Sequence, residues 1–340
     1  MSYMFKGCKK LINIDLTKIN TNKVQKMNSM FADCFSLENI DISTFNLSLV
    51  QSTESMFNGC YNLKTIQLPI SINNNLISMN KMFANCAGLT SISLENFDTS
   101  GVKNMSSLFK GLLKIKKINL SNFNVNSCLN MSSMFEKCSS LENINFGANF
   151  NSVNVLDMSL MFKECNNLTS LDLSSLRTDN VKTFNLMFSE MKNLIEINLS
   201  KLKTENAEDI EGMFYNCQNL KKLDITNFNT SNVYKAENLF KHCYCLTSID
   251  VSHMDTSKIK SMSGMFDGCQ NLSSLDLSNF KTKNVMNISR MFADCYKIEY
   301  LNLLNFNTSL VVDIHGFFYG CTNLKGVDIS SFDTRNIAYF

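Results

Sequence analysis

The sequence has no tryptophan, a single proline (Pro69) and only twelve glycines in 340 residues. So little proline excludes polyproline stretches, and no Gly/Ser-rich run marks a flexible linker. Arginine is almost missing: Arg177, Arg290 and Arg335 are the only three among 32 basic residues. A lysine-dominated surface is poorly matched to bidentate recognition of phosphates or base edges. The formal net charge is +2, so no strong field points to nucleic acid or to anionic lipid. No apolar run approaches the roughly 18 residues that cross a bilayer. The first residues, MSYMFKGCKK, lack the apolar segment of a signal peptide. No G-x-S-x-G, H-E-x-x-H, P-loop or dinucleotide fingerprint occurs. These absences lead to an expectation of no catalytic residues, no cofactor, no resident metal, no nucleic acid partner and no membrane insertion.

What the chain does have is a repeat. Phenylalanine returns at Phe5, Phe31, Phe57, Phe83, Phe109, Phe135, Phe162, Phe188, Phe214, Phe240, Phe266, Phe292 and Phe318. Successive members are 26 residues apart, with one 27-residue step from Phe135 to Phe162. A fixed period of this size marks a solenoid or array. It overrides the prior of about two domains for this length, because each unit packs only on its neighbours. One elongated domain over residues 1–340 is expected.

The unit around Phe31 shows the physical pattern. Val24, Met27, Met30, Phe31 and Cys34 follow the three-and-four spacing of a helix face. Thr21 and Asn22 precede them and can cap that helix. Leu37, Ile40 and Ile42 face inward, Asn39, Asp41 and Ser43 face outward, and Phe45 closes the core. Each unit reads as one strand, a turn and a short helix. Strand–helix–strand connections make the strands parallel with a right-handed crossover. Thirteen strands about 4.8 Å apart give one long sheet on the order of 60 Å in length.

The unit M-F-x-x-C-x-x-L-x-x-[IL]-x-L-x-x-F-x-T-x-x-V-x-x-M closely resembles the BspA-type leucine-rich repeats. These occur mostly in surface proteins of bacteria and some parasitic protists. The resemblance covers essentially all 340 residues. It implies an α/β solenoid of leucine-rich-repeat type and a protein partner, with adhesion as the role and the cell surface or exterior as the place. If the chain is complete as it stands, the missing leader favours the cytoplasm. The alternative role is an intracellular scaffold or filament component.

Cysteine bears on that choice. Eleven of the 13 cysteines lie three residues after the repeat phenylalanine, from Cys8 to Cys321. Leu112 and Met191 take the slot in the other two units. An apolar slot accepts that exchange, whereas a metal site or a disulfide would not. A reduced, buried ladder is expected, with Cys245 off the ladder as the most reactive thiol. Such thiols fit a reducing compartment better than an oxidising one. The methionines near each phenylalanine, such as Met27 and Met30, read as core filler rather than as a binding stripe.

Two units break the pattern. Leu68-Pro69-Ile70-Ser71-Ile72 places Ser71 where phenylalanine usually stands, so Ile70 or Ile72 must fill the space. Gly147 and Ala148 mark the one-residue insertion and suggest a bulge. Met1 and Phe340 both stand four residues before a core phenylalanine position. That phase suggests a longer array or end-to-end self-association.

Few residues offer chemistry. The mid-strand outward position is always polar, and its run Asp224, Asp250, Asp276 is the best cation candidate; a structural ladder is the blander reading. His242, Cys243, Cys245 and His253 crowd one unit, but zinc needs four converging ligands. Lys110, Lys114, Lys116 and Lys117 read as a solvated rim. The best candidates for partner binding are aromatic exceptions. Tyr244 and Tyr296 follow a ladder cysteine, as do Phe35 and Tyr61. Tyr300 and Leu304 take outward positions that are small or polar elsewhere, and by strand periodicity they share one face.

Overall fold

The computed structural model describes residues 1–69, 75–95, 97–148 and 150–340. Ile70, Ser71 and Ile72 lie outside the described residues. Contacts divide the chain into two compact units, Met1–Leu168 with Ser175–Arg177, and Thr169–Ser174 with Thr178–Phe340. Both are built from the same rung. In the rung of Phe31, the side chains of Met27, Met30, Phe31, Cys34 and Leu37 are fully buried. Ile40, Ile42 and Phe45 join them at 1–3% exposure. The apolar columns of the sequence are thus the core.

The expected short helix is absent. Among the described residues there is no helix at all. From Met27 to Cys34 the chain makes successive tight turns. Met30 N–H bonds back to Met27 O, Ala32 to Ser29 and Cys34 to Phe31, each at 3.2 Å. Ser29 and Asp33 sit at φ +53° and +61°, the left-handed region that certain tight turns require. The amides of Met27, Ser29, Phe31 and Asp33 donate instead to the next rung, to Ser52, Glu54, Met56 and Asn58 carbonyls at 2.8–3.0 Å. An α-helix needs such amides to bond four residues back within the segment. Here they are already committed between rungs. Every rung repeats the device, with positive φ two residues before and two residues after its phenylalanine.

Strands are shorter than expected and do not merge into one sheet among the described residues. β1 (Asn39–Asp41) pairs with β2 (Thr65–Gln67), β3 (Lys117–Asn119) with β4 (Asn143–Asn145), and β5 (Tyr300–Asn302) with β6 (Gly326–Asp328). All three pairs are parallel. Elsewhere neighbouring rungs share single bonds at this position, such as Lys221 N–H to Ile195 O at 3.1 Å. A second row of parallel bridges runs along each unit, for example Lys26 to Ser52 and Asp209 to Lys235.

Four side-chain columns hold the rungs together. Phenylalanine rings stack in each unit with centroids 5.2–6.3 Å apart, as between Phe5 and Phe31 or Phe83 and Phe109. Truncating one such ring, Phe57 for instance, costs about 3–5 kcal/mol. Each ladder thiol from Cys34 to Cys321 donates to the carbonyl of the preceding rung's phenylalanine, as Cys138 does to Phe109 O at 3.1 Å. Thr99 Oγ1 donates to Asn124 O and accepts the Asn124 N–H, both at 2.9 Å. Thr21, Thr204 and Thr282 form the same two-way staple. Thr21 is therefore no helix cap. Asparagine amides close the corners, such as Asn232 Nδ2 to Glu205 O at 2.9 Å.

The one-residue insertion is a glycine device. Gly147 has φ +69°, and a Cβ there would lie 2.5 Å from Ser121 Cα. The local swelling is filled by Phe146 and Phe150, whose buried rings meet edge-on at 4.8 Å.

Candidate interaction surface

The outward strand face is a lattice of short polar turns. Asp224, Asp250 and Asp276 each accept the backbone N–H of the hydroxyl residue two positions on, at 2.9–3.0 Å. Asp224 and Asp250 also accept the hydroxyls of Thr226 and Ser252 at 2.7 Å. These bonds, the side-chain one first, hold all three carboxyls below the ordinary carboxylate range. The carboxylates thus serve their own turns. Among the described residues, no group of three His, Cys, Asp or Glu converges as a metal would require.

Tyr300 opens β5 and is 65% exposed. Its register partner is Gly326, and the ring leans over it: a Cβ on Gly326 would lie 3.4 Å from Tyr300 Cδ1. The ring therefore walls a shallow concavity of about 670 Å³, floored by Leu301, Gly326 and Val327 and edged by Asn302 and Asp328. Leu304 is 50% exposed, but the shared-strand argument fails for it. β5 ends at Asn302, and Leu304 stands in the following turn, its N–H bonded to Asn302 Oδ1 at 3.2 Å. Tyr296 is 38% exposed on the rim. Tyr244 is half-buried, because His242 packs on it with ring centroids 5.4 Å apart. Burial first, and then neighbours that include Tyr215, Asp267 and Tyr296, push the Tyr244 phenol above its ordinary value. The rim tyrosines 244 and 296 thus share one environment. No ring contact among the described residues joins them to Tyr300.

The residues that resembled a zinc set do not converge. Cys243 is buried and donates to Phe214 O at 3.2 Å. The His242 ring lies between Tyr215 and Tyr244, while His253 is exposed. Burial lowers the His242 pKa. All 13 cysteines are free thiols. Nine ladder cysteines, Cys34 to Cys295, are fully buried, but Cys8 is exposed and Cys321 half-buried. The expectation of uniform protection therefore fails at Cys8 and Cys321. In the lysine patch, Lys110 pairs with Glu136 at 2.7 Å and Lys116 with Glu142 at 2.9 Å.

One cluster escaped the sequence reading. Asp267 has a side chain only 1% exposed, and two basic side chains meet it. Lys241 reaches it at 3.1 Å, and Arg290 grips it with Nε at 3.0 Å and Nη2 at 3.2 Å. Arg290 also meets Asp294 at 3.3 Å and lies over the Tyr319 ring. Glycines on the same rungs make room: a Cβ on Gly264 would strike Asn238 Oδ1, and one on Gly268 would lie 2.7 Å from the His242 ring. The buried carboxylate, met by a lysine and an arginine from the two flanking rungs, ties three rungs together. The available signal was the pair of glycines flanking a lone aspartate, followed one rung later by a rare arginine.

Two bacterial proteins of known structure are similar to the chain. A leucine-rich repeat protein from Bacteroides ovatus shares 18% identity and a TM-score of 0.53, over 97% of this chain and 82% of that one. A leucine rich cell surface protein from Faecalibacterium prausnitzii shares 17% identity and a TM-score of 0.46, over 94% and 87%. The first of these shows a leucine-rich-repeat fold. No curated protein matches the chain in sequence. One family model matches it four times, over residues 1–87, 71–155, 144–249 and 244–340. The repeat array and these matches agree along the whole chain, which belongs to the family described as "Mycoplasma protein of unknown function, DUF285".

Proposed function

We propose that this is a non-enzymatic repeat protein whose exposed rungs offer an extended protein-binding surface, with Tyr300 and Leu304 as anchors. One observation carries the reading. A tyrosine 65% exposed in β5 and a leucine 50% exposed in the turn after it stand at positions that are small or polar in the other rungs, above a frame bonded rung to rung. A rigid frame loses little entropy on binding, and one tyrosine anchor can contribute about 2 kcal/mol or more. The resemblance to BspA-type repeats favours adhesion at a cell surface. The free thiols favour the second reading, an intracellular scaffold.

The test is a photo-cross-linking residue at position 300 in cells that make the protein. A discrete protein adduct, lost on Leu304→Ala, is the expected result. Absence of any adduct while the chain remains folded would remove the anchor. Mild protease treatment of intact cells separates the two readings: cleavage of the chain supports adhesion, full protection the scaffold. End-to-end stacking of copies is a further mode of association, read out as mass against concentration by light scattering.

A further inference from the structure

A second surface lies on the rim of the first compact unit, where the turns lead into the strands. On four successive rungs the residue after the ladder slot is Phe35, Tyr61, Ala87 and Leu113. Tyr61 and Leu113 are 48% and 44% exposed, and Phe35 and Ala87 are half-buried. The Phe35 and Tyr61 rings touch, with centroids 5.2 Å apart. Between Tyr61 and Leu113 the rim drops. Ala87 and Gly88 are small, and the backbone at Gly88 is pressed onto the preceding rung. A Cβ there would lie 2.8 Å from Leu63 O and 3.1 Å from Tyr61 O, so no other residue fits without movement. The result is a notch with a backbone floor, walled by a tyrosine and a leucine.

Both ends of this stripe are basic. Lys9 Nζ sits 5.2 Å above the Phe35 ring, with Lys10 beside it in sequence. Lys114 follows Leu113. Lys110 and Lys116 are matched by Glu136 and Glu142, but Lys9, Lys10 and Lys114 form no ion pair among the described residues. From the rung of Lys9 to that of Lys114 is four steps of about 4.8 Å, or roughly 19 Å. An extended peptide covers that span with about six residues.

We propose that this rim is a docking groove for an extended segment of a partner protein, apolar in its middle and acidic at both ends. One apolar side chain of the segment fills the notch over Ala87 and Gly88. Its carboxylates meet Lys9 and Lys114, which fix its length and register. A membrane surface is a poorer match, since the stripe is one residue wide. Nucleic acid is a poorer match too, because the positive groups sit at the ends and not along the track. This surface lies in the other compact unit from Tyr300, so the two readings fail independently.

The experiment measures binding of fluorescent octapeptides to the whole chain, all with phenylalanine and leucine at their centres. Their ends are aspartate/glutamate, serine or lysine. The acidic-ended set should bind at least about tenfold tighter than the serine-ended set, and the margin should shrink with salt. Ala87→Arg, which fills the notch, and the pair Lys9→Glu with Lys114→Glu should each weaken binding about tenfold or more. Tyr300→Ala with Leu304→Ala should leave it unchanged. Circular dichroism and melting temperature confirm that each variant folds; if Ala87→Arg does not, Tyr61→Ser takes its place. Indifference to end charge, indifference to the notch variant, or no binding by any acidic-ended peptide overturns the proposal.

Discussion

One substitution, made at two threonines of the first unit, should change stability in opposite directions. Thr53 and Thr99 are buried alike, at 0% and 1% exposure. Valine has nearly the same shape as threonine, with a methyl in place of the hydroxyl. Thr99 Oγ1 makes two bonds to the next rung, to Asn124 O and from Asn124 N–H. At about 1 kcal/mol each, Thr99→Val loses about 2 kcal/mol, and more if the Asn124 amide finds no water. Thr53 occupies a slot that is methionine in the rungs of Phe31, Phe83 and Phe109, and its Oγ1 has no hydrogen-bond partner. A buried hydroxyl without a partner costs about 1–3 kcal/mol, so Thr53→Val gains about 1 kcal/mol. Urea unfolding gives the sign of each change. Stacked rungs need not unfold in one step, so hydrogen exchange at Asn124 supplies a local readout. That amide should exchange faster in Thr99→Val and not in Thr53→Val. Destabilisation by both substitutions would refute the distinction between a stapled and an orphaned hydroxyl.

Maleimide in native buffer should modify Cys8 first and Cys245 next, while Cys138 and Cys217 react only on unfolding; equal rates would show an open ladder. Burial holds the Cys138 and Cys217 thiols up to about 12, against 9.0 for an ordinary cysteine. The folded state therefore keeps protons that the unfolded chain releases. Stability is fully present below pH 9 and falls above it by about 1.4 kcal/mol per pH unit for each such thiol, until pH reaches the folded value. Melting temperatures of the wild type and Cys138→Leu should diverge over this window, and parallel curves would refute the argument. Gly147→Ala should destabilise by more than about 2 kcal/mol, since it combines positive φ with a clash, whereas Lys81→Gly should add up to about 1 kcal/mol by relieving positive φ at an exposed site. Denaturant midpoints compare the two, and a loss of stability in both would show that φ at Lys81 carries no strain.

The core was readable because repetition separates burial from chance. A column that is phenylalanine in all thirteen rungs, or cysteine with apolar substitutes, can only be facing inward. The backbone between those columns was not readable by the same means. Three-and-four spacing suits a helix, but it suits a string of turns closing three residues back equally well. The discriminating residues were glycines. Gly7, Gly59, Gly111, Gly212, Gly264, Gly268, Gly316 and Gly320 all lie two residues from a repeat phenylalanine. Glycine costs about 1 kcal/mol inside a helix, so its return at those two phases argued against one. Thr21 was misread for a related reason. A helix cap and a staple between rungs use the same hydroxyl, and sequence does not say which backbone receives it.

The candidate sites follow the same division. In an array, the repeat fixes which way each column points, so only departures from it create local shape. Tyr300 was legible as such a departure, because its column is otherwise free of aromatic residues. Its tilt over Gly326 was not, since it depends on what the next rung leaves empty. Tyr244 is covered by His242, a neighbour two residues away that the turn at φ +61° rotates toward it. The notch beside Tyr61 needs both Ala87 and the compression of the backbone at Gly88. Asp267 finds its partners in Lys241 on one side and Arg290 on the other. In each case a single-rung reading sees an odd residue, and its consequence is set by the rungs above and below. The unit of functional reading in this fold is therefore three rungs, and substitutions that test it should be placed on the neighbours, at Gly326, Gly88 and Gly264, as well as on the exceptional side chains.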